Sequence, residues 1–254
     1  MARALLLARR MKPLEEFEHQ KRATIAKQGA DPALLEMTRT WFNKSCEHKY
    51  SYHFTWLGVP IIQYPQDIVA LQEIVWRVRP ELIIETGIAH GGSLVLSASL
   101  LEMLGGDGHV VGVDVDIRPH NRAVIEAHPM MKRISLIEGS SLAPETVARV
   151  AEHAKGRGPV LVILDSNHTH EHVAEELRLY SPFVTEGSYL IVFDTVIEDM
   201  PEAAFPDRPW GRGNNPRTAL KQFLETSTRF VRDEEMGQKL LISVAPDGYL
   251  RCVR

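Results

Sequence analysis

Asp165 and Asp194 each follow an apolar run of strand length, Val160–Leu164 and Tyr189–Phe193. In a sheet with those strands as neighbours, both carboxylates stand at one edge. Two carboxylates so placed can share a divalent cation, and oxygen donors suit Mg²⁺, Mn²⁺ or Ca²⁺, with Mg²⁺ completed by water and substrate oxygens. Thr195 offers a further hydroxyl. The alternative is structural: Asp165 caps the helix that follows and Asp194 stabilises a turn. Three histidines sit close by in LDSNHTHEHV, at 168, 170 and 172. If the helix begins early enough, His168 and His172 share one face. With Asp165 they then imitate a two-His-one-carboxylate iron site, which makes an Fe(II) oxygenase. In the other reading His168 is a general base at neutral pH beside the cation, His172 an orienting or packing residue, and His170 a solvated one. A purely structural role for all three is the third possibility.

Upstream, LIIETGIAHGGS places Glu85 and Thr86 at a strand end, Gly87 in the turn, and His90, Gly91, Gly92 and Ser93 at the mouth of a helix. It is not the dinucleotide fingerprint G-x-G-x-x-G, because position 89 is Ala. E-x-G-x-x-x-G-G-S is similar instead to the S-adenosylmethionine loop of Rossmann-like methyltransferases, where the acid orders the loop and the glycines make room for the methionyl part. The second strand, HVVGVDVD, brings Asp114 to its end, where a carboxylate can accept both hydroxyls of a cofactor ribose. The third ends in EGSS and supplies Ser140 and Ser141. With Asp165 these residues form the expected cofactor set. A tight connection between strand and helix is the structural alternative for the glycines alone.

These residues need elements to position them. Apolar runs at Leu82–Glu85, Val110–Val113, Ser135–Ile137, Val160–Leu164 and Tyr189–Phe193 alternate with helical stretches near 92–104, 119–127, 143–155 and 171–183. Continuous apolar strands are buried on both faces, as in a parallel sheet, and parallel neighbours need crossover helices. The expected fold is therefore α/β: a Rossmann-like doubly wound, mostly parallel sheet with helices on both faces and an antiparallel C-terminal edge. Ligands bind such sheets beyond the strand C-termini. Residues 1–65 read as a helical and aromatic lead-in segment, and 66–254 as the Rossmann-like domain. Asp67 is expected to cap a helix reaching Arg79 before Pro80. The Pro-rich insertion at about 196–214, with Trp210 and Arg212, reads as a lid, and Asn215-Pro216 opens a helix to about Glu225. A hairpin of Lys239–Val244 with Tyr249–Val253 is expected to finish the edge. Trp41, Tyr50, Tyr52 and Trp56 either form a sugar-stacking wall or lie in the core.

Composition narrows the function classes. With 29 Lys+Arg against 33 Asp+Glu, the chain lacks the basic field that nucleic-acid binding requires. Cys46 and Cys252 fit no zinc or C-x-x-C spacing and read as free thiols of a cytoplasmic protein. The start, MARALLLARRMKP, is too short in its apolar run for a signal peptide and reads as an amphipathic helix. No apolar run reaches the ~18 residues of a membrane span.

Several motifs in order carry a family resemblance: TWLGVPIIQYPQD, PELIIETGIAHGGS, LDSNHTHEHVAEELRLYSPFVTEGSYLIVFD, NNPRTALKQFL and APDGYL. Together they resemble the cephalosporin-hydroxylase-like group of S-adenosylmethionine-dependent methyltransferases, which includes mycobacterial rhamnosyl O-methyltransferases. The resemblance implies S-adenosylmethionine as donor, a divalent cation, Mg²⁺ above all, near the transfer site, a homo-oligomer, and a hydroxyl of a sugar, glycan or glycosylated natural product as acceptor. Asp165 and Asp194 match the two metal-region acids of catechol-type O-methyltransferases, and His168 stands where those enzymes carry a lysine base. Phe193 departs from rhamnosyl-type members, which show Glu-Asp at the end of the fifth strand. Catechol-type enzymes also lack an acid at that place, so the metal site is still expected, with Asn167 or Thr195 able to compensate. A partner that keeps the cofactor fold without catalysis is the remaining alternative.

Overall fold

The computed structural model describes residues 2–254, with side chains from Lys12 onward. The chain opens with helices α1 (Ala2–Gly29) and α2 (Pro32–Glu47), a 3₁₀ turn at Tyr50–His53, a small hairpin of β1 (Phe54–Trp56) and β2 (Val59–Ile61), and α3 (Pro65–Val78). The expected amphipathic helix at the start falls mostly on side chains outside the described residues. α2 extends into the aromatic stretch that the sequence leaves poor in helix formers. Asp31 caps it by accepting from the N–H groups of Ala33 and Leu34, and Phe42 is buried on its inner face.

One seven-stranded sheet follows. It comprises β3 (Leu82–Thr86), β4 (His109–Asp114), β5 (Ile134–Glu138), β6 (Val160–Leu164), β7 (Tyr189–Val192), β8 (Phe230–Arg232) and β9 (Tyr249–Cys252). The crossovers are α4 (Gly92–Leu104), α5 (Pro119–Ala127), α6 (Pro144–Ala154), α7 (His170–Tyr180) and α8 (Pro216–Thr226), and α9 (Glu234–Leu240) precedes β9. The strand order is β5-β4-β3-β6-β7-β9-β8. β3 to β7 are parallel, and β9 lies antiparallel between β7 and β8. The order reverses between β3 and β6, so the crevice of a doubly wound sheet opens above their C-terminal ends.

Alternation along the strands builds two cores. Leu82, Ile84, Val160, Val162, Leu164, Leu190 and Val192 face one side, while Ile83, Leu161, Ile163, Tyr189 and Ile191 face the other. None of the described helices is long and apolar enough to cross a membrane.

Two expectations are corrected. α3 starts at Pro65, with Tyr64 at its N-cap, so Asp67 does not cap it. Buried at 1% exposure, Asp67 instead accepts from Ser243 Oγ at 2.6 Å, Val244 N–H at 3.0 Å and Tyr249 O–H at 2.7 Å, which pins α3 to the approach of β9. The hairpin is also different. Lys239 and Leu240 end α9, and β9 pairs instead with β7 and with Phe230–Arg232. The Asp247-Gly248 signal marks the turn into β9, where Gly248 N–H reaches Ala245 O at 2.9 Å. Antiparallel geometry holds at this edge, but its outermost strand is β8.

Burial pushes the Asp67 carboxyl up to about 6 and that of Glu85, at the end of β3, up to about 7. A raised folded value means that the folded chain binds more protons than the unfolded one, so stability present at pH 4.5 is lost as pH rises through 7. For Glu85, starting from an ordinary 4.5, the loss is about 3 kcal/mol. Urea unfolding between pH 4.5 and 8 should show this decline, and Glu85→Gln should flatten it by that amount.

Candidate active site

The loop after β3 is shaped by what lies against it. Gly87 has φ +81°, and a Cβ there would overlap the backbone carbonyl of Asp165. A Cβ on Gly92 would overlap the carbonyl of Pro60. At these two positions chain packing already requires glycine. Gly91 is the N-cap of α4. Ser93, in the first turn of that helix, donates to Glu85 Oε1, which holds the loop acid inward. Glu85 Oε2 and Thr86 Oγ1 are buried without a partner among the described residues.

Asp114 closes the loop from the end of β4. Its Oδ2 accepts from Ile88 N–H at 2.9 Å and its Oδ1 from Asp116 N–H at 3.1 Å. A carboxylate offers about four lone-pair sites, so two stay open to ligand hydroxyls. His90 lies 3.2 Å from Asn121 Oδ1, and Asn121 Nδ2 donates to Ala89 O at 2.9 Å. Gly139 N–H donates to Asp114 O at 2.8 Å, setting the EGSS turn beside the acid. In that turn Ser140 is exposed and Ser141 buried. The loop thus keeps acceptors of the kind a nucleoside and an amino group require, and the residues present fit such a cofactor.

On the other side of the switch point, ligand atoms of Asp165, His168 and Asp194 all lie within 4.8 Å of one another. Asp194 adopts φ +56°, which turns its side chain away from the core that receives Phe193, only 5% exposed. His168 Nε2 sits 3.1 Å from Asp194 Oδ2, and Trp210 meets the imidazole edge-on with centroids 4.8 Å apart. Burial, then the facing carboxylate of Asp194, pushes Asp165 well above the usual carboxylate range. A divalent cation would relieve that repulsion. Two carboxylates are a fitting pair of donors for it, with the imidazole beside them.

Other sequence candidates lie elsewhere. Thr195 is fully buried and its hydroxyl donates to Pro246 O at 2.6 Å, which ties it to the approach of β9. Asn167 Oδ1 accepts from Thr169 N–H and O–H at the mouth of α7. α7 begins at His170, so His168 precedes the helix and shares no face with His172. His172 Nε2 points to Ser166, Ser141 and Glu176, away from the acid pair, and no two-His-one-carboxylate site forms. His170 is not simply solvated: its ring bridges Thr218 Oγ1 and Gln222 Oε1 on α8, both at 2.8 Å. Trp41 and Tyr50 pack edge-on at 5.2 Å in a cluster with Tyr64, Tyr52 is exposed, and Trp56 donates to Ser99 Oγ at 2.9 Å. Gln63 was not singled out by sequence, yet its Nε2 lies 3.4 Å from Asp165 Oδ2. A lone Gln in an apolar segment carries no signal of such a contact.

Comparison with known proteins places this geometry. The sequence model of the family described as Rhamnosyl O-methyltransferase/CmcI matches residues 48–253. The rhamnosyl O-methyltransferase of Mycobacterium tuberculosis is 29% identical over 199 residues, 77% of each chain. That of Mycobacterium leprae is 31% identical over 150 residues, 58% of this chain and 62% of the relative. Among solved structures, CmcI with Mg and SAM aligns at a TM-score of 0.55 with 21% identity, covering 80% of this chain and 78% of that one. An O-methyltransferase from Bacillus cereus in complex with SAH aligns at 0.52 with 16% identity, covering 88% and 92%. These two likenesses speak to the fold. The match over most of the chain settles the family: this protein belongs to the rhamnosyl O-methyltransferase/CmcI family of S-adenosylmethionine-dependent O-methyltransferases.

Proposed function

We propose that the chain methylates a hydroxyl of a sugar, glycan or glycosylated small molecule, with a divalent cation held by Asp165 and Asp194. The observation behind this reading is the convergence of Asp165, Asp194 and His168 at the ends of neighbouring strands, beside a loop that keeps open acceptors. The sugar acceptor is taken from the rhamnosyl O-methyltransferases that the sequence resembles.

When bound, S-adenosylmethionine supplies an electrophilic methyl group and the cation lowers the pKa of the acceptor hydroxyl. The protein does the rest by position. Asp114 and the loop from Glu85 to Ser93 hold the donor, with Ser140 and Ser141 at its far end. Asp165 and Asp194 fix the cation, and Gln63 steadies Asp165. With Nε2 turned to Asp194, the Nδ1 of His168 is free to take the hydroxyl proton. Trp210 covers the imidazole from the insertion, whose far end is tied down by Asn215 Nδ2 donating to Glu198 at 2.5 Å. This segment acts as the lid and excludes water. Much of the rate then comes from holding two reactants in line.

Titration calorimetry separates the half-sites. Asp114→Ala should weaken S-adenosylmethionine binding at least about tenfold, the ~1.4 kcal/mol of one charge-assisted contact, and leave Mn²⁺ binding intact. Asp165→Ala should do the reverse. Wild-type protein that fails to bind S-adenosylmethionine would sink the reading.

His168→Ala should lower the transfer rate on a rhamnoside acceptor by roughly 10²–10⁴ while both ligands still bind. Chelation with EDTA should abolish transfer and added Mg²⁺ restore it. Full activity in EDTA would remove the cation from the scheme.

A further inference from the structure

We propose that His172 and Glu176 are positioning residues that tie the Ser141 turn to the Asp165 loop, so that cofactor and cation bind cooperatively. The proposal rests on the reading above, in which the Ser141 turn touches the cofactor and Asp165 the cation.

Ser141 lies three residues beyond β5, and Ser166 directly follows Asp165 at the end of β6. Between those strands lie β4 and β3, so the strand ends are three spacings apart, roughly 14 Å. His172 on α7 closes that gap with a single nitrogen. Its Nε2 is 3.2 Å from Ser141 Oγ and 3.0 Å from Ser166 Oγ. Ser166 Oγ donates its proton to Glu176 Oε1 at 2.7 Å, so toward His172 its oxygen is an acceptor. Nε2 therefore carries the hydrogen, shared between the two serine oxygens. Tyr180, two turns further along α7, donates to the backbone carbonyl of Ser141 at 2.8 Å.

Helix packing alone does not call for this chain of polar groups. Glu176 is fully buried on a face otherwise made of Val173, Leu177 and Tyr180. Burying a carboxylate costs several kcal/mol unless it is well satisfied, and here only Oε1 is met, by Ser166 at 2.7 Å, while Oε2 is buried without a partner among the described residues. An apolar side chain would pack there more cheaply. What the acid achieves is orientation: it fixes the Ser166 hydroxyl, and so the backbone that presents Asp165. A ligand that seats Ser141 then restricts His172, Ser166 and Asp165 together. Coupling of this kind is reciprocal, so each ligand must tighten the other by the same factor.

The test is calorimetric titration of Mn²⁺ with and without saturating S-adenosylhomocysteine. In the wild type the Mn²⁺ dissociation constant should fall about tenfold when S-adenosylhomocysteine is present. His172→Ala should bring that ratio close to one, and His172→Gln, which keeps an N–H donor, should restore most of it. Ser141→Ala should leave the affinity for Mn²⁺ alone unchanged and still abolish the ratio. A merely structural role would weaken both ligands in His172→Ala and leave the ratio at its wild-type value, which would overturn the proposal. Independent binding of the two ligands by the wild type would overturn it while leaving the proposed function intact. Failure of the wild type to bind S-adenosylhomocysteine would overturn both.

Discussion

The contact between Gly87 and Asp165 governs how the two halves of the site meet. Asp165 N–H donates to Thr86 O at 2.9 Å and Gly87 N–H to Val113 O at 2.8 Å, so the ends of β6, β3 and β4 are laced together where the strand order reverses. The Asp165 carbonyl then fills the space a side chain at 87 would need. Any other residue at 87 pushes the acid loop outward, and with it the carboxylate that faces Asp194. The glycine loop and the acid pair are thus two sides of one close-packed joint. Their relative position is set by backbone, whose stiffness is far greater than that of the side chains reaching from it.

Acids gather around this joint. Asp194, Glu85, Glu176 and Asp67 all act on Asp165, and each raises its affinity for a proton. Such a concentration of like charge in a partly buried site is costly unless protons or a cation compensate. Phe193 moderates it. With an apolar residue at this place, the end of β7 contributes one carboxylate to the edge, and the ring fills core space against Tyr249 at 6.5 Å between centroids.

Most of the sheet was legible in the sequence because its strands are buried on both faces, and double burial writes itself as unbroken apolar runs. Val160–Leu164 and the helix Gly92–Leu104 fall where the pattern sets them. Asn215 was legible for another reason: the cap followed by Pro216 is a local rule, and the capping box forms. Long-range partnerships were not. Asp67 has the type and place of a helix cap, but its partners lie about 180 residues away, and nothing local announces them. His170 looks like its two neighbours in sequence, yet its helical position turns it to α8 while His172 turns inward. The third strand of the antiparallel edge was misplaced because Lys239–Val244 alternates well enough for a strand, whereas burial of Met236 and Leu240 favours a helix.

The same edge decides how the sheet meets solvent. By lying between β7 and β8, β9 is paired on both sides, and the sheet ends on β8, a strand of three residues whose Val231 and Arg232 are exposed. A long, flat, unpaired strand is a template on which a second chain can add its own backbone. Three residues ending in a cation offer too few free N–H and C=O groups for that. Tucking β9 inward thereby protects the chain, on this side, from open-ended strand addition and the insoluble assemblies it produces.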